Sequence, residues 1–336
     1  MTTDAISTPT NQAPLSPEGR PPGRVFDQLF RIATFAAAIV VLVVMAGILL
    51  TTFNEARPWF QERGLASIFG TQWVPISDNA GNVVDPGLGA GALIWGTLYT
   101  SAIALVLAVP VSIGIALFVT EIAPGWLRRP VVFVIDLLAV VPSVVFGLFG
   151  VAVLVSPLGN DIYGPISDAL AAIPLLGALF HGSSGRSYMT AGLVLAVMIT
   201  PIITSITREV FATTPSALKE AALALGATRW EMIRGAVFPH ARGGVVAAVM
   251  IGLGRAMGET IAVVLLVGGA ANLGVGLFES GETMAAAIAR SFNESTGVQR
   301  SALIGLGVVL FVMTLLINMG ARWASGRSER RLRAGR

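Results

Sequence analysis

The chain has 336 residues, of which 54% are hydrophobic and 12% are charged, and its mean hydropathy is +0.77. A soluble domain is about 25% charged, so this composition favours a membrane protein. The lack of cysteine excludes disulfide bonds and thiolate metal sites. The basic residues behind the pI of about 9.9 are scattered over loops between apolar segments, which argues against nucleic-acid binding.

The apolar segments predict an all-α membrane domain over residues 25–322. Residues 1–24 are rich in Pro, Thr, Ser and Gln and predict a disordered N-terminal tail, and 323–336 form a basic C-terminal tail. About 20 helical residues are needed to cross the hydrocarbon core of a bilayer. Six segments meet that length, near 32–53, 93–119, 131–156, 189–206, 243–269 and 302–321.

Lysine and arginine are concentrated in alternate loops of this arrangement. Segments 1–31, 120–130, 207–242 and 322–336 contain 16 of the 22 basic residues, whereas the three other loops together contain five. Cytoplasmic loops of membrane proteins are enriched in positive charge. Both termini and the loop 207–242 are therefore predicted to be cytoplasmic.

The loop 207–242 is too polar to insert into a membrane and begins with the pattern of a short helix. Thr214 is predicted to cap this helix, with Pro215 at its first position. Gly226 suits the left-handed position that ends a helix. An apolar stripe between these ends is formed by Ala217, Leu218, Ala221, Ala222 and Leu225.

A second short helix is predicted over 229–237. Thr228 and Glu231 have the spacing of a capping box at its start, and Pro239 is predicted to end it before the fifth span. The two helices would form a compact projection from the membrane. Spacing alone leaves open whether this projection docks on another protein or only links two spans.

A resemblance to a known family supports the interpretation that this projection docks on another protein. The run Glu220-Ala221-Ala222, followed by Gly226 and then by Phe238-Pro239, resembles the EAA loop of ABC importer permeases, although Ala236 and Phe238 replace the usual Ile and Leu. In that family the loop inserts into a cleft of a separate ATP-binding subunit. The resemblance implies ATPase-coupling roles for Glu220, Ala221, Ala222, Gly226 and Pro239.

ATP is not expected to bind this chain. A P-loop requires a lysine that follows closely spaced glycines, and the single lysine, Lys219, lacks them. No cofactor is therefore expected here, and ATP with Mg²⁺ is expected on a partner subunit.

The fifth predicted span contains two opposite charges, Arg255 and Glu259. Insertion scales assign about 2.5–3.5 kcal/mol to an arginine at mid-bilayer, so Arg255 requires a partner or a water-filled cavity. In a continuous helix Glu259 would lie on the same face, four residues on. The two residues form either a structural ion pair or an anion site, in which the guanidinium binds an oxyanion and Glu259 orients it.

The segment 254–260, which contains Arg255, Glu259 and Thr260, resembles the phosphate-specific ABC permeases, and the residues that follow favour their C-type over their A-type subunit. Segments 141–150 and 199–203 agree with this resemblance, which covers about 25–322. It implies the six-span bundle of type I (MetI-like) importers. It also implies that Arg255, Glu259 and Thr260 line the pathway of phosphate.

The same resemblance implies the assembly in which the chain would work. The partners are a homologous permease subunit, two ATP-binding subunits, an external phosphate-binding protein and the lipid of a bacterial cytoplasmic membrane, with no nucleic acid. Sulfate or molybdate remains an alternative cargo, because one arginine serves any oxyanion. A proton-coupled secondary transporter that uses Glu259 is the alternative of a different class, and it would not need the polar loop.

Overall fold

A computed structural model describes residues 24–74 and 87–334. All but one residue of the predicted disordered tail 1–24 thus lies outside the described residues. The chain divides into two compact units, of which the first ends at Thr51 and the second begins at Thr52. The first helix, α1, spans Arg24–Arg63 and contributes to both.

The remaining elements belong to the second unit. Two short strands pair in antiparallel fashion, β1 (Trp73–Val74) with β2 (Gly87–Leu88). The helices that follow are α2 (Gly91–Leu117), α3 (Gly125–Val140), α4 (Ser143–Phe149), α5 (Val155–Pro157), α6 (Gly164–Leu170), α7 (Pro174–Leu179), α8 (Tyr188–Ala212), α9 (Ser216–Ala224), α10 (Arg229–Met232), α11 (Phe238–Gly258), α12 (Ile261–Leu266), α13 (Met284–Ser291) and α14 (Gly297–Ala334).

Six helical stretches of the described residues are long and apolar enough to cross a membrane, which confirms the predicted all-α architecture. Short π-helical turns join some helices into these longer stretches, for example Phe118–Ile122 at the end of α2. The stretches are Phe26–Arg63, Gly91–Ile122, Ser143–Leu170, Tyr188–Ala212, Arg229–Gly258 and Gly297–Trp323.

The third span differs in its bounds from the span predicted near 131–156. Helix α3 ends at Val140, Val141 and Pro142 are extended, and α4 begins at Ser143. Proline disfavours helical geometry in the residue before it and has no N–H to donate. Pro142 therefore interrupts the span, and the crossing stretch begins only at Ser143.

The fifth span also differs from the prediction, which placed one helix over 243–269. Helix α11 ends at Gly258, Glu259 is extended with ψ of 129°, and the six-residue α12 follows. Helix α12 packs closely against α4. The approach is so close at Gly147 that an added Cβ would lie 2.9 Å from the Cα of Ala262.

Helix α8 lies at the centre of the second unit and contributes more buried residues to the largest apolar cluster than any other helix. Small residues allow its neighbours to approach closely, as is common between membrane helices. Gly192 of α8 contacts Ile103 of α2, and Gly252 of α11 contacts Ile203 of α8. Pro201 lies within α8 without ending it.

At the Tyr188 end of α8, two loops are joined by main-chain hydrogen bonds. We call these loops, residues 179–189 and 276–281, the loop seam. The amide of Tyr188 donates to the carbonyl of Glu279 over 3.1 Å, and the amide of Met189 donates to that of Leu277 over 2.9 Å. The seam therefore fixes this end of the helical bundle.

Candidate functional site

We define the docking loop as residues 207–242. Its first short helix, α9, begins one residue later than predicted. Pro215 is extended and is itself the N-cap, so helical geometry begins at Ser216. Thr214 does not cap α9, and its hydroxyl is buried without a hydrogen-bond partner among the described residues. The prediction that Thr214 is the cap was therefore wrong.

The end of α9 is as predicted. Gly226 has a φ of +85°, the left-handed conformation that glycine adopts without steric cost. Its amide donates to the carbonyl of Leu223 over 3.0 Å, and the amide of Ala227 donates to that of Ala222 over 3.2 Å. These two bonds form a Schellman motif, which satisfies carbonyls that the helix end would leave unpaired.

The second helix of the docking loop begins as predicted but continues further. Thr228 and Glu231 form a reciprocal capping box at the start of α10, which confirms the prediction. Pro239, however, does not end the helix, because it lies in the first turn of α11. A π-helical turn at Ile233–Val237 connects α10 to α11, so the helical run passes from the loop into the fifth span.

An apolar cluster attaches the docking loop to the membrane helices. We call it the base cluster; its buried members come from α2, α8 and the helical run from α10 to α11, and they are Ala116, Leu117, Phe211, Met232, Ile233, Val237 and Ala241. Phe211 and Phe238 meet edge to face with centroids 5.7 Å apart. Movement of the docking loop is thereby mechanically linked to the ends of α2 and α8.

The opposite side of the docking loop is exposed. Glu220 and Ala221 are exposed, and Ala222 is half-buried because it reaches the base cluster. The side chains of Leu225 and Trp230 are 90% and 61% exposed. The predicted apolar stripe is therefore largely unburied in this chain, as expected of a surface that another protein covers.

One ion pair in this region was not predicted from the sequence. Lys219 Nζ lies 2.6 Å from Glu121 Oε1, and the two side chains are only 22% and 7% exposed. Glu121 belongs to the π-helical turn at the end of α2. The pair therefore joins α9 to a helix that is distant in sequence.

The intramembrane charges do not form the predicted pair. Arg255 lies exposed in the last turn of α11, and none of the described residues makes a hydrogen bond or ion pair with its side chain. Glu259 is half-buried, and its Oε1 accepts a 3.4 Å hydrogen bond from the amide of Ala262 in the first turn of α12. The shared-face argument fails because α11 ends between the two residues.

Space is open beside Arg255. Apart from the backbone of its own helix, a Cβ on Gly254 or Gly258 would meet no atom of the described residues within 4 Å. Thr260 lies in the break, where its hydroxyl donates to the carbonyl of Gly258 over 3.2 Å. The planar guanidinium thus keeps its donors available at an open surface, where an oxyanion could accept two parallel hydrogen bonds.

Comparisons with known proteins identify the family of this chain. The sequence profile of the family described as binding-protein-dependent transport system inner membrane component matches residues 108–334. The chain is 41% identical over 297 residues to the phosphate transport system permease protein PstC of Xylella fastidiosa strain 9a5c, covering 88% of this chain and 89% of that protein. It is 34% identical over 292 residues to the probable phosphate transport system permease protein PstC of Methanocaldococcus jannaschii, covering 86% and 90%.

Solved structures show the same fold. A chain of a bacterial alginate ABC transporter, crystallised in complex with an alginate pentasaccharide-bound periplasmic protein, superposes with a TM-score of 0.59. The match covers 90% of this chain and 98% of that chain at 18% identity. A second structure of a bacterial ABC transporter, one involved in alginate import, gives a TM-score of 0.54 over 90% and 99% at the same identity. At that identity the likeness concerns the fold alone.

Proposed function

Since this chain belongs to the family of inner membrane components of binding-protein-dependent transport systems, we propose that it is the permease subunit of an ATP-driven importer of inorganic phosphate. It is a multi-pass membrane protein and a transport subunit, not an enzyme. The relatives carry the C-type name, which confirms the resemblance indicated by residues 254–263.

The observation that carries the anion pathway is the unpaired guanidinium of Arg255, and the choice of phosphate as the anion rests on the PstC relatives. A cation within a membrane-spanning helix is costly unless it faces water, a partner or a substrate. Arg255 has no partner among the described residues and has open space at Gly254 and Gly258. A phosphate pathway between two permease subunits supplies both the water and the counter-charge.

Glu259 and Thr260 have a different role in this proposal from the one the sequence suggested. Glu259 accepts from the first turn of α12 and thus fixes where α12 starts, while Thr260 places a hydroxyl in the break. Both residues shape the pathway wall one turn beyond Arg255. Glu259 is therefore a positioning residue in this proposal and does not orient Arg255 directly.

The docking loop supports the second part of the proposal, which is that the chain is coupled to an ATP-binding subunit. Glu220 and Ala221 lie exposed on α9, and Gly226 and Pro239 shape the helical run that leads into the fifth span. We propose that this surface inserts into a cleft of an ATP-binding subunit. That subunit binds ATP and Mg²⁺, and its closure shifts the permease between inward- and outward-facing states.

The rest of the assembly follows from the same proposal. A homologous permease subunit forms the other half of the pathway, a second ATP-binding subunit serves it, and an external phosphate-binding protein delivers the cargo. The chain lies in a bacterial cytoplasmic membrane with both termini in the cytoplasm, because the docking loop and the termini share the basic side of the charge distribution.

Uptake of labelled phosphate by cells with Arg255→Gln tests the proposal, at membrane abundance matched to the unmodified chain. Arg129→Gln is the control, because it removes the same charge from an exposed site at the start of α3. We expect Arg255→Gln to abolish uptake with the complex assembled and Arg129→Gln to leave it intact. Undiminished uptake in Arg255→Gln would remove Arg255 from the pathway.

Two further measurements identify the transported oxyanion and the energy source. Competition by unlabelled sulfate or molybdate as strong as that by phosphate would assign another oxyanion. Uptake that survives ATP depletion but stops when the proton gradient is dissipated would identify a secondary transporter instead.

A further inference from the structure

We infer that Glu121 and Lys219 form a strut that makes the docking helix α9 move together with the end of α2. The two are positioning residues for the coupling of ATP hydrolysis to transport. This inference rests on the proposed function in one respect, namely that α9 contacts the ATP-binding subunit.

The geometry of the pair is that of a specific contact. The 2.6 Å distance between Lys219 Nζ and Glu121 Oε1 is that of a direct charge-assisted hydrogen bond. The Glu121 side chain is 7% exposed, so its carboxylate has lost most of its hydration. Ion pairs on open surfaces are weak because water and salt screen them, and this pair is largely removed from both.

Helix α9 needs such a contact because little else holds it. None of its residues is buried, and among them only Ala222 packs against the base cluster. Lys219 and Ala222 are three residues apart and therefore lie on one side of the helix. That side faces the membrane helices, while Glu220 next to Lys219 is exposed on the docking side.

The ion pair connects α9 to the membrane-spanning helices at a point other than its chain connections. Its chain connections lead only to α8 and α10, whereas Glu121 lies about one turn beyond Leu117 in the helical run that starts as α2. Helix α2 in turn contacts α8 through Ser112, whose hydroxyl donates to the carbonyl of Thr200 over 3.2 Å. A displacement of α9 would therefore reach the centre of the bundle through α2.

The test uses the complete transporter reconstituted in vesicles with its external binding protein. The measured quantity is phosphate transported per ATP hydrolysed in Glu121→Gln, in Lys219→Gln, in the double variant and in the charge exchange Glu121→Lys with Lys219→Glu. Matched controls are Glu209→Gln and Arg128→Gln, which neutralise exposed charges in neighbouring segments.

We expect each single variant to assemble and hydrolyse ATP but to lower the transport ratio by about 2- to 30-fold, the range of coupling effects carried by single side-chain links. The double variant should be no worse than either single variant, and the charge exchange should restore part of the ratio. A normal ratio in both single variants would overturn the inference. Failure of both to assemble, without rescue by the charge exchange, would also overturn it, because the pair would then serve folding.

A second measurement does not depend on the cargo. Lys219 is the single lysine of the chain, so acetylation of its amine can be followed by mass spectrometry of this subunit in the complex. We expect slow acetylation with and without ATP, and several-fold faster acetylation in Glu121→Gln but not in Glu209→Gln. Equal rates in all variants would refute the strut whatever is transported. If the ATPase activity of the wild-type complex were the same with and without phosphate, the proposed function would be refuted instead.

Discussion

The left-handed turn at Gly226 gives a quantitative test of the docking loop. In Gly226→Ala the added methyl group would meet no atom within 4 Å, so the only penalty is the φ of +85°. Left-handed geometry costs an L-residue about 1–2 kcal/mol. The stiffer unfolded chain of the variant offsets part of that cost, which leaves about 1 kcal/mol. The native turn should therefore open about five times more often, since 1.36 kcal/mol corresponds to a factor of ten.

Hydrogen exchange of the Ala227 amide measures this opening directly, because that amide closes the Schellman motif by donating to Ala222. We expect about fivefold faster exchange in Gly226→Ala and a smaller increase in Gly226→Asn, since asparagine tolerates the left-handed region better. Gly235→Ala is the matched control, because its methyl also meets open space but its φ is not positive. Equal exchange in the Gly226→Ala and Gly235→Ala variants would show that the turn is not strained, and the reasoning would be wrong.

Two further predictions concern the opposite end of the bundle. Gly96→Ala would place a methyl group against the carbonyl oxygen of Glu282, so we expect the free energy of unfolding to fall by about 1–3 kcal/mol, seen as a lower thermal midpoint of the purified subunit. Gly114→Ala should not lower the midpoint, because its methyl group would meet no described atom outside its own helix within 4 Å and alanine is the better helix former. Burial raises the pKa of the Glu282 carboxyl above its ordinary value of 4.5, although Arg290 and the amide of Thr283 oppose the shift. The folded chain therefore binds this proton more tightly than the unfolded chain. The protonated carboxyl contributes its full stability below pH 4.5, and this contribution is lost as the pH rises through the folded pKa. Glu282→Gln should flatten the fall of the thermal midpoint over that range, and an unchanged slope would contradict the assignment.

The parts of the fold that depend on local chemistry were predictable from the sequence. Apolar runs identified the spans, and the turn at Gly226 and the capping box at Thr228 follow from what glycine and a hydroxyl do to nearby backbone. The third span is interrupted at Pro142, which lies directly before the start of α4. Local signals succeed where the residues that decide the backbone lie within a few positions of one another.

The break before α12 had no comparable signal. Glutamate is a good helix former, and no proline lies in 254–263, so a continuous helix was the reasonable expectation. After the break, α12 packs against α4, where Gly147 allows close approach, and this contact joins residues that are distant in sequence. The ion pair of Glu121 with Lys219 was missed for a related reason, because 98 residues separate the partners and only the fold brings them together.

The loop seam has an evolutionary consequence. It is held mainly by peptide groups, and every residue except proline can supply both an N–H and a C=O. Other positions are constrained, such as Gly182 with its φ of +102°, Gly281 against the ring of Tyr188, and Phe278, whose buried ring stacks on that of Tyr163. An exposed side chain such as that of Ser183 can therefore be exchanged without disturbing the seam. Substitutions can accumulate on the surface at this end of the bundle while the helices beneath stay the same.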